Sequence, residues 1–203
     1  MTNLDYTYPL MEHFYTIQGE GVHSGRAAYF LRLGGCDVGC VWCDVKESWD
    51  KAIHPETSVA QMLDFVLESK ADFVVLTGGE PAMYDLNPLV EALHAHNLYV
   101  AIETSGAYEV IGNVDWFCLS PKKFKMPVTS AYERADEFKV VIYHPSDFQW
   151  AEEQTTLLRE DCMLLLQPEW SKSERLLPRL IEYVKQNPKW RISLQTHKFM
   201  NIP

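Results

Sequence analysis

A chain of 203 residues, 47% hydrophobic and 23% charged, is long enough for one soluble domain spanning 1–203 with a real core. Its formal net charge of −10 argues against a general binder of the phosphate backbone, so no nucleic-acid partner is expected. No apolar run is long enough for a membrane span, and residues 1–10 lack the basic flank and apolar stretch of a targeting peptide. Five cysteines without a signal segment favour a reducing cytoplasm.

Residues 9–25 show no strong periodicity and contain the polar loop Ile17-Gln18-Gly19-Glu20-Gly21. Glycines on both sides of a carboxylate read either as a close backbone approach to a ligand or as a surface turn. A strand follows at 28–33, then Gly34-Gly35, then Cys36, Cys40 and Cys43 at C-x3-C-x2-C spacing, with Gly39 inside the loop. Glycine permits the positive φ that lets such a loop curl and point its thiols inward. Thiolates suit iron–sulfur clusters and zinc. A closed zinc site would need a fourth ligand, from Asp44 or a distant His. A four-iron cluster held by three thiols would keep one iron open. Cys118 and Cys162 lie in apolar runs and read as core thiols.

Residues 46–56 are irregular. Ser58 and Gln61 then form a capping box ahead of Val59, Met62, Leu63, Val66 and Leu67 at helical spacing. A strand at 72–77 ends in Gly78-Gly79-Glu80-Pro81. Asn87 and Pro88 read as N-cap and first residue of a helix that Asn97 stops. Strands at 98–102 and 116–119 end in Glu103-Thr104-Ser105-Gly106 and Ser120-Pro121-Lys122-Lys123. A strand at 138–143 and a helix at 147–158 follow. A strand at 163–166 ends in Gln167-Pro168, and the helix at 174–186 contains Pro178, which would delay or kink it. A last strand at 191–194 ends in Gln195-Thr196-His197-Lys198.

Alternating strands and helices point to an α/β fold with a parallel sheet. Polar clusters recur at the C-terminal ends of the strands, where (β/α) barrels build their sites. There is room for fewer than eight units, so an incomplete barrel is expected, with the thiols, Gly78-Gly79-Glu80, Thr104-Ser105, Lys122, Gln167 and His197 on one rim.

Cys36-x3-Cys40-x-Trp42-Cys43 together with Gly78-Gly79-Glu80-Pro81 resembles the radical S-adenosylmethionine superfamily, whose fold is a (β/α) barrel, here trimmed. More narrowly the chain resembles the 7-carboxy-7-deazaguanine synthase family, through Ile17-Gln18-Gly19-Glu20-Gly21, Glu103-Thr104-Ser105-Gly106, Ser120-Pro121-Lys122 and the stretch from Gln195 to Pro203. The resemblance implies a lyase of 7-deazapurine (queuosine) biosynthesis. It would convert 6-carboxy-5,6,7,8-tetrahydropterin to 7-carboxy-7-deazaguanine with loss of ammonia, using a 5′-deoxyadenosyl radical made from S-adenosylmethionine on a 4Fe-4S cluster.

By the same resemblance Cys36, Cys40 and Cys43 hold the cluster. Trp42, Gly78, Gly79, Glu80, Thr104, Ser105, Ser120, Pro121, Lys122, Gln167, Pro168, Glu169 and Trp170 line S-adenosylmethionine, with Gly78-Gly79 giving backbone access to its ammonium and Glu80 adding a carboxylate there. Ile17, Gln18, Gly19, Glu20, Arg32, Thr77 and His197 meet the pterin, as does Pro203 through its terminal carboxylate. Arg32 would clamp the pterin carboxylate through paired hydrogen bonds. No side chain is assigned as acid or base. Family members place Mg2+ beside the substrate with a Thr hydroxyl two positions after the third cysteine. That position is Val45 here, which offers a hard cation no ligand. A homodimer and a flavodoxin- or ferredoxin-type electron donor are implied. The competing readings are another radical enzyme of the same superfamily, such as an activase, and a zinc-binding module.

Overall fold

The computed structural model describes residues 3–203; Met1 and Thr2, where the stretch free of targeting features begins, lie outside the described residues. Among the described residues nine strands form one open sheet. They are β1 (Thr7–Ile17), β2 (Ala27–Leu33), β3 (Glu56–Ser58), β4 (Phe73–Gly78), β5 (Tyr99–Thr104), β6 (Trp116–Leu119), β7 (Glu137–Ile142), β8 (Met163–Pro168) and β9 (Trp190–Ile192). Their order is β3-β1-β2-β4-β5-β6-β7-β8-β9. From β2 to β9 every neighbouring pair is parallel, and only β1 pairs antiparallel, with β2 and β3. The helices are α1 (Val59–Leu67), α2 (Asn87–His94), α3 (Thr129–Arg134), α4 (Ser146–Thr155), α5 (Ser173–Gln186) and α6 (Thr196–Met200). The architecture is the incomplete (β/α) barrel expected.

Side chains alternate across each strand, so the sheet sorts its residues between two faces. The outer face carries Leu76, Ile102, Leu119, Val140 and Leu166, buried against Met62 and Val66 of α1, Leu89 and Leu93 of α2, and Leu176 and Leu180 of α5. Truncating one of these to Ala costs about 2–5 kcal/mol. The inner face has a small apolar base of Ala28, Phe73, Val75 and Ala101. Above that base, towards the strand C-termini, its side chains become polar.

The Ser58–Gln61 capping box is formed in full. Asn97 takes the left-handed conformation of a helix stop, at φ 57°. Asn87 is not the cap expected. Asp85 Oδ1 accepts from the Asn87 amide at 3.0 Å, and the Asn87 side chain bonds Glu91 one turn on. Pro178 neither delays nor ends α5, which runs from Ser173 with the proline inside it. The longest strand, β1, escaped the sequence pattern because only Tyr8, Pro9 and Leu10 are buried, and an irregular register between Leu10 and Glu12 breaks the alternation. α3 and α6 are too short to show periodicity.

Candidate active site

A cavity of about 500 Å³ opens at the C-terminal ends of the strands. All three cysteines of the loop after β2 line it, Cys40 buried and Cys36 and Cys43 half-buried. Val38 and Ala107 pack beneath them. Outside the thiols, Asp37 anchors the loop to the 121–127 segment: Tyr108 donates to Asp37 Oδ2, and Lys125 Nζ lies 2.9 Å from the same oxygen. Burial raises the Cys36 thiol and pushes Cys40 up to about 11, the nearby Lys122 ammonium only partly offsetting this. All five cysteines are free thiols. Among the described residues no three His, Cys, Asp or Glu converge as one zinc ion would require. Three thiols on one cavity wall fit a cluster with an open corner.

Gly78 and Gly79 line the same wall, for a reason beyond the access expected. A Cβ on Gly78, at φ +152°, would lie 2.2 Å from the Leu33 carbonyl, and one on Gly79 would lie 2.3 Å from the Gly35 carbonyl. The Gly79 and Glu80 amides donate to Leu33 and Gly35 at 3.0 and 2.9 Å, tying the end of β4 to the root of the cysteine loop.

Glu80 stands apart from the lining. It is 1% exposed and behind the wall rather than on it. Its Oε1 accepts from the Ala82 amide at 2.9 Å and Thr104 Oγ1 at 2.5 Å; its Oε2 accepts from the amide and hydroxyl of Ser105. Four donors fill the carboxylate, which fixes Thr104 and Ser105, and those two do line the cavity. Pro121 is likewise buried outside the lining.

Ser120, Lys122, Trp42, Gln167, Pro168, Glu169 and Trp170 all line the cavity. Lys122 Nζ donates to the Ser120 carbonyl and hydroxyl and lies 5.7 Å from the Trp42 ring centroid. Burial holds its ammonium below the usual lysine value. Trp42 is half-buried rather than core. Glu169 also caps the turn at Ser171.

Ile17, which ends β1, and Gln18, Gly19 and Glu20, which follow it, also line the cavity. Gly19 is glycine because a Cβ there would meet His197 Nδ1 at 2.3 Å, and Gly21 because one would meet Glu137 Oε1 at 2.2 Å. The close approach expected of this loop is therefore made to the protein itself. Gln18 donates to Glu103 at 3.0 Å, and Lys139 Nζ lies 2.6 Å from Glu20 and 3.4 Å from Glu103. Gln195 donates to Glu20 at 2.8 Å. Burial disfavours the Glu20 carboxylate, yet the Lys139 charge and the hydrogen bonds of Lys139, Gln167 and Gln195 outweigh it, holding its pKa at about 2. Burial likewise opposes the Lys139 ammonium, but Glu103 and Glu20 keep it protonated, well above its ordinary value.

Lys139, Glu103 and Gln195 were not among the sequence candidates. A lysine inside the apolar run Phe138-Lys139-Val140-Val141-Ile142 was the available signal, since a strand lysine needs a buried anion.

The register of β1, β2 and β4 lines up Glu12, Arg32 and Thr77 in one row. Glu12 accepts from Arg32 Nε at 2.6 Å, so the guanidinium is fixed at the cavity wall with its Nη groups free of protein partners among the described residues. Thr77 lies beside it. Phe14 and Phe30, also unforeseen, stack at 5.3 Å on the same wall. His197 and Pro203 line the mouth, with Thr16 Oγ1 donating to the Pro203 carbonyl at 3.5 Å. Burial lowers the His197 pKa, Lys198 adding to this and Glu20 opposing it. Val45 lines the cavity without a ligating side-chain atom, and its neighbour Asp44 accepts from Lys198 Nζ at 2.9 Å.

The family model of the radical SAM superfamily matches residues 31–141. A 7-carboxy-7-deazaguanine synthase from Flavobacterium psychrophilum is 58% identical over 96% of this chain and 92% of its own length. One from Synechocystis is 43% identical over 98% of this chain and 95% of its own. The crystal structure of QueE from Escherichia coli superposes with a TM-score of 0.83 at 33% identity, covering 96% of this chain and 98% of that one.

Proposed function

The chain belongs to the radical S-adenosylmethionine superfamily and, within it, to the 7-carboxy-7-deazaguanine synthase family; from this we propose that its cavity converts 6-carboxy-5,6,7,8-tetrahydropterin to 7-carboxy-7-deazaguanine with loss of ammonia. The observation that carries the reading is that one cavity is lined both by Cys36, Cys40 and Cys43 and by Arg32 with the Gln18–Glu20 loop. When bound, the 4Fe-4S cluster supplies the electron that cleaves S-adenosylmethionine and yields the hydrogen-abstracting radical.

The protein's own part is to bind, orient and exclude water. Cys36, Cys40 and Cys43 hold the cluster. Gly78 and Gly79 keep the wall thin enough for backbone carbonyls to reach the methionine ammonium, and Glu80 sets the hydroxyls of Thr104 and Ser105. Trp42 offers a face to the adenine. Ser120, Lys122, Gln167, Pro168, Glu169 and Trp170 complete the nucleoside side. Arg32, held by Glu12, gives its Nη donors to the pterin carboxylate. Gln18, Glu20, Thr77 and His197 supply donors and acceptors to the flat ring, with Ile17, Gly19 and Pro203 shaping its slot. In this proposal residues 1–203 are one domain acting in the cytoplasm as a homodimer, reduced by a flavodoxin- or ferredoxin-type protein. No helix among the described residues is long and apolar enough to cross a membrane.

The test is anaerobic reconstitution with iron and sulfide, then incubation with reductant, S-adenosylmethionine and the carboxypterin. Mass spectrometry is expected to find the deazapurine. Formation of 5′-deoxyadenosine without deazapurine would assign the chain a different substrate.

A further inference from the structure

The Mg2+ implied by the family resemblance does not fit the residues present. Mg2+ demands oxygen ligands in near-octahedral array. The Val45 side chain has none to offer, its carbonyl accepts from the amide and hydroxyl of Ser48, and the neighbouring Asp44 carboxylate is engaged by an ammonium, Lys198 Nζ, at 2.9 Å.

Three observations set that ammonium at the cavity rather than in solvent. Lys198 and Asp44 both line it, and the lysine side chain is only 21% exposed. The α6 backbone that carries Lys198 is fixed next to the Gln18–Glu20 loop, because Thr196 donates to the Gly19 carbonyl through its amide at 2.8 Å and its hydroxyl at 2.9 Å. Nζ also lies 5.2 Å from the Trp170 ring centroid, a face that attracts a cation. An ammonium has three donors, and Asp44 uses one. A donor is left for an anionic oxygen in the cavity, where the other cation at the substrate wall is Arg32.

We propose that Lys198, held by Asp44 and Trp170, supplies the positive charge beside the substrate's acidic oxygens that a divalent cation would otherwise supply, and that this enzyme turns over without Mg2+. The proposal rests on the functional reading above. A lysine ammonium is a compact charge with rotatable donors, suited to a single carboxylate or carbonyl oxygen, and it needs no vacant ligand positions around it.

The experiment uses cluster-loaded enzyme passed over a chelating resin. Deazapurine formation is followed with and without added Mg2+, and carboxypterin binding to the unreduced, S-adenosylmethionine-bound enzyme is measured by titration calorimetry. In the wild type both change by less than about twofold on adding Mg2+. Lys198→Met weakens pterin binding by about 10- to 100-fold, the loss expected of one charge-assisted hydrogen bond. S-adenosylmethionine affinity is unchanged in that variant, and Lys198→Arg recovers part of the loss. Deazapurine formed by the wild type only when Mg2+ is present, or wild-type pterin affinity in Lys198→Met, overturns the proposal while leaving the functional reading intact. The wild-type Mg2+ titration decides the matter even if the variants fold poorly. A wild type that makes no deazapurine under either condition takes both readings down.

Discussion

Lys139→Met puts the buried charge network to a quantitative test. Lys139 is 2% exposed, with its ammonium 2.6 Å from Glu20 and 3.4 Å from Glu103. Methionine fills similar space without the charge, leaving two carboxylates at the cavity floor with no cation between them. Against the cost of burial, Lys139, with the hydrogen bonds of Gln167 and Gln195, lowers the Glu20 pKa from 4.5 to about 2, a combined effect on the order of 3 kcal/mol at neutral pH of which the Lys139 charge is the largest favourable part. Removing one partner of a buried pair costs about 3–5 kcal/mol by general experience, in agreement. The depressed Glu20 value means its contribution is present above pH 4.5 and fades as pH falls towards 2. The raised Lys139 value means its contribution is present below pH 10.5 and is lost as pH rises through the folded value. Urea denaturation at pH 7 should therefore show a loss of about 3 kcal/mol for Lys139→Met, shrinking as the solution is acidified below pH 4.5. Adding Glu20→Gln to the variant should recover part of the loss, because one orphaned charge is gone. A loss under about 0.5 kcal/mol at pH 7, or one that does not change on acidification, would refute the reasoning.

Replacing any of Cys36, Cys40 or Cys43 by Ser should abolish the brown absorbance of the reconstituted protein, whereas Cys118→Ser and Cys162→Ser, away from the cavity, should retain it; visible spectra decide. Gly79→Ala drives a Cβ to 2.3 Å from the Gly35 carbonyl and 2.8 Å from Cys36 Cβ, so it should lower iron content per chain, while Gly39→Ala, with open space around it, should cost only about 1 kcal/mol of backbone strain and still load iron. Glu80→Gln leaves at least one of its four donors facing an NH2 group, and calorimetry should show S-adenosylmethionine binding weakened by about tenfold with carboxypterin binding little changed. Ser58→Ala should cost about 1 kcal/mol in urea denaturation and leave turnover untouched, since it removes a helix cap far from the cavity.

Much of the site could be read from the chain because it sits where strands stop. Cys36 follows β2, Gly78 ends β4, Thr104 ends β5 and Gln167 lies at the end of β8, and each stop is marked by glycine, proline or small polar residues that break an apolar run. What stayed hidden depends on pairing between distant segments. β1 shows little alternation because part of it faces a polar cavity instead of a core. Lys139 gives away its partners only once β7 is set in the same sheet as β5 and the loop after β1. The glycines of Gln18-Gly19-Glu20-Gly21 were legible as close-approach positions, but His197 and Glu137, which do the approaching, lie more than a hundred residues away. The hydrogen bonds of Glu80 stayed hidden because a carboxylate in a turn shows its charge in sequence and hides how many neighbours donate to it.

The loop after β1 is fastened to the segment after β9: Gly21 donates to Ser193 Oγ at 2.9 Å across 172 residues, and Thr196 to Gly19 across 177. A sheet left open along its edge is thus clasped by two segments separated by most of the chain. Such pairings carry the greatest loop-closure entropy and tend to form late. The side of the pocket built by the Gln18–Glu20 loop and the segment after β9 should then be the last region to gain protection from proteolysis during refolding. Ligand captured there would stiffen both ends of the chain at once, so a protease clip near either end should reveal occupancy that leaves the middle of the barrel unchanged.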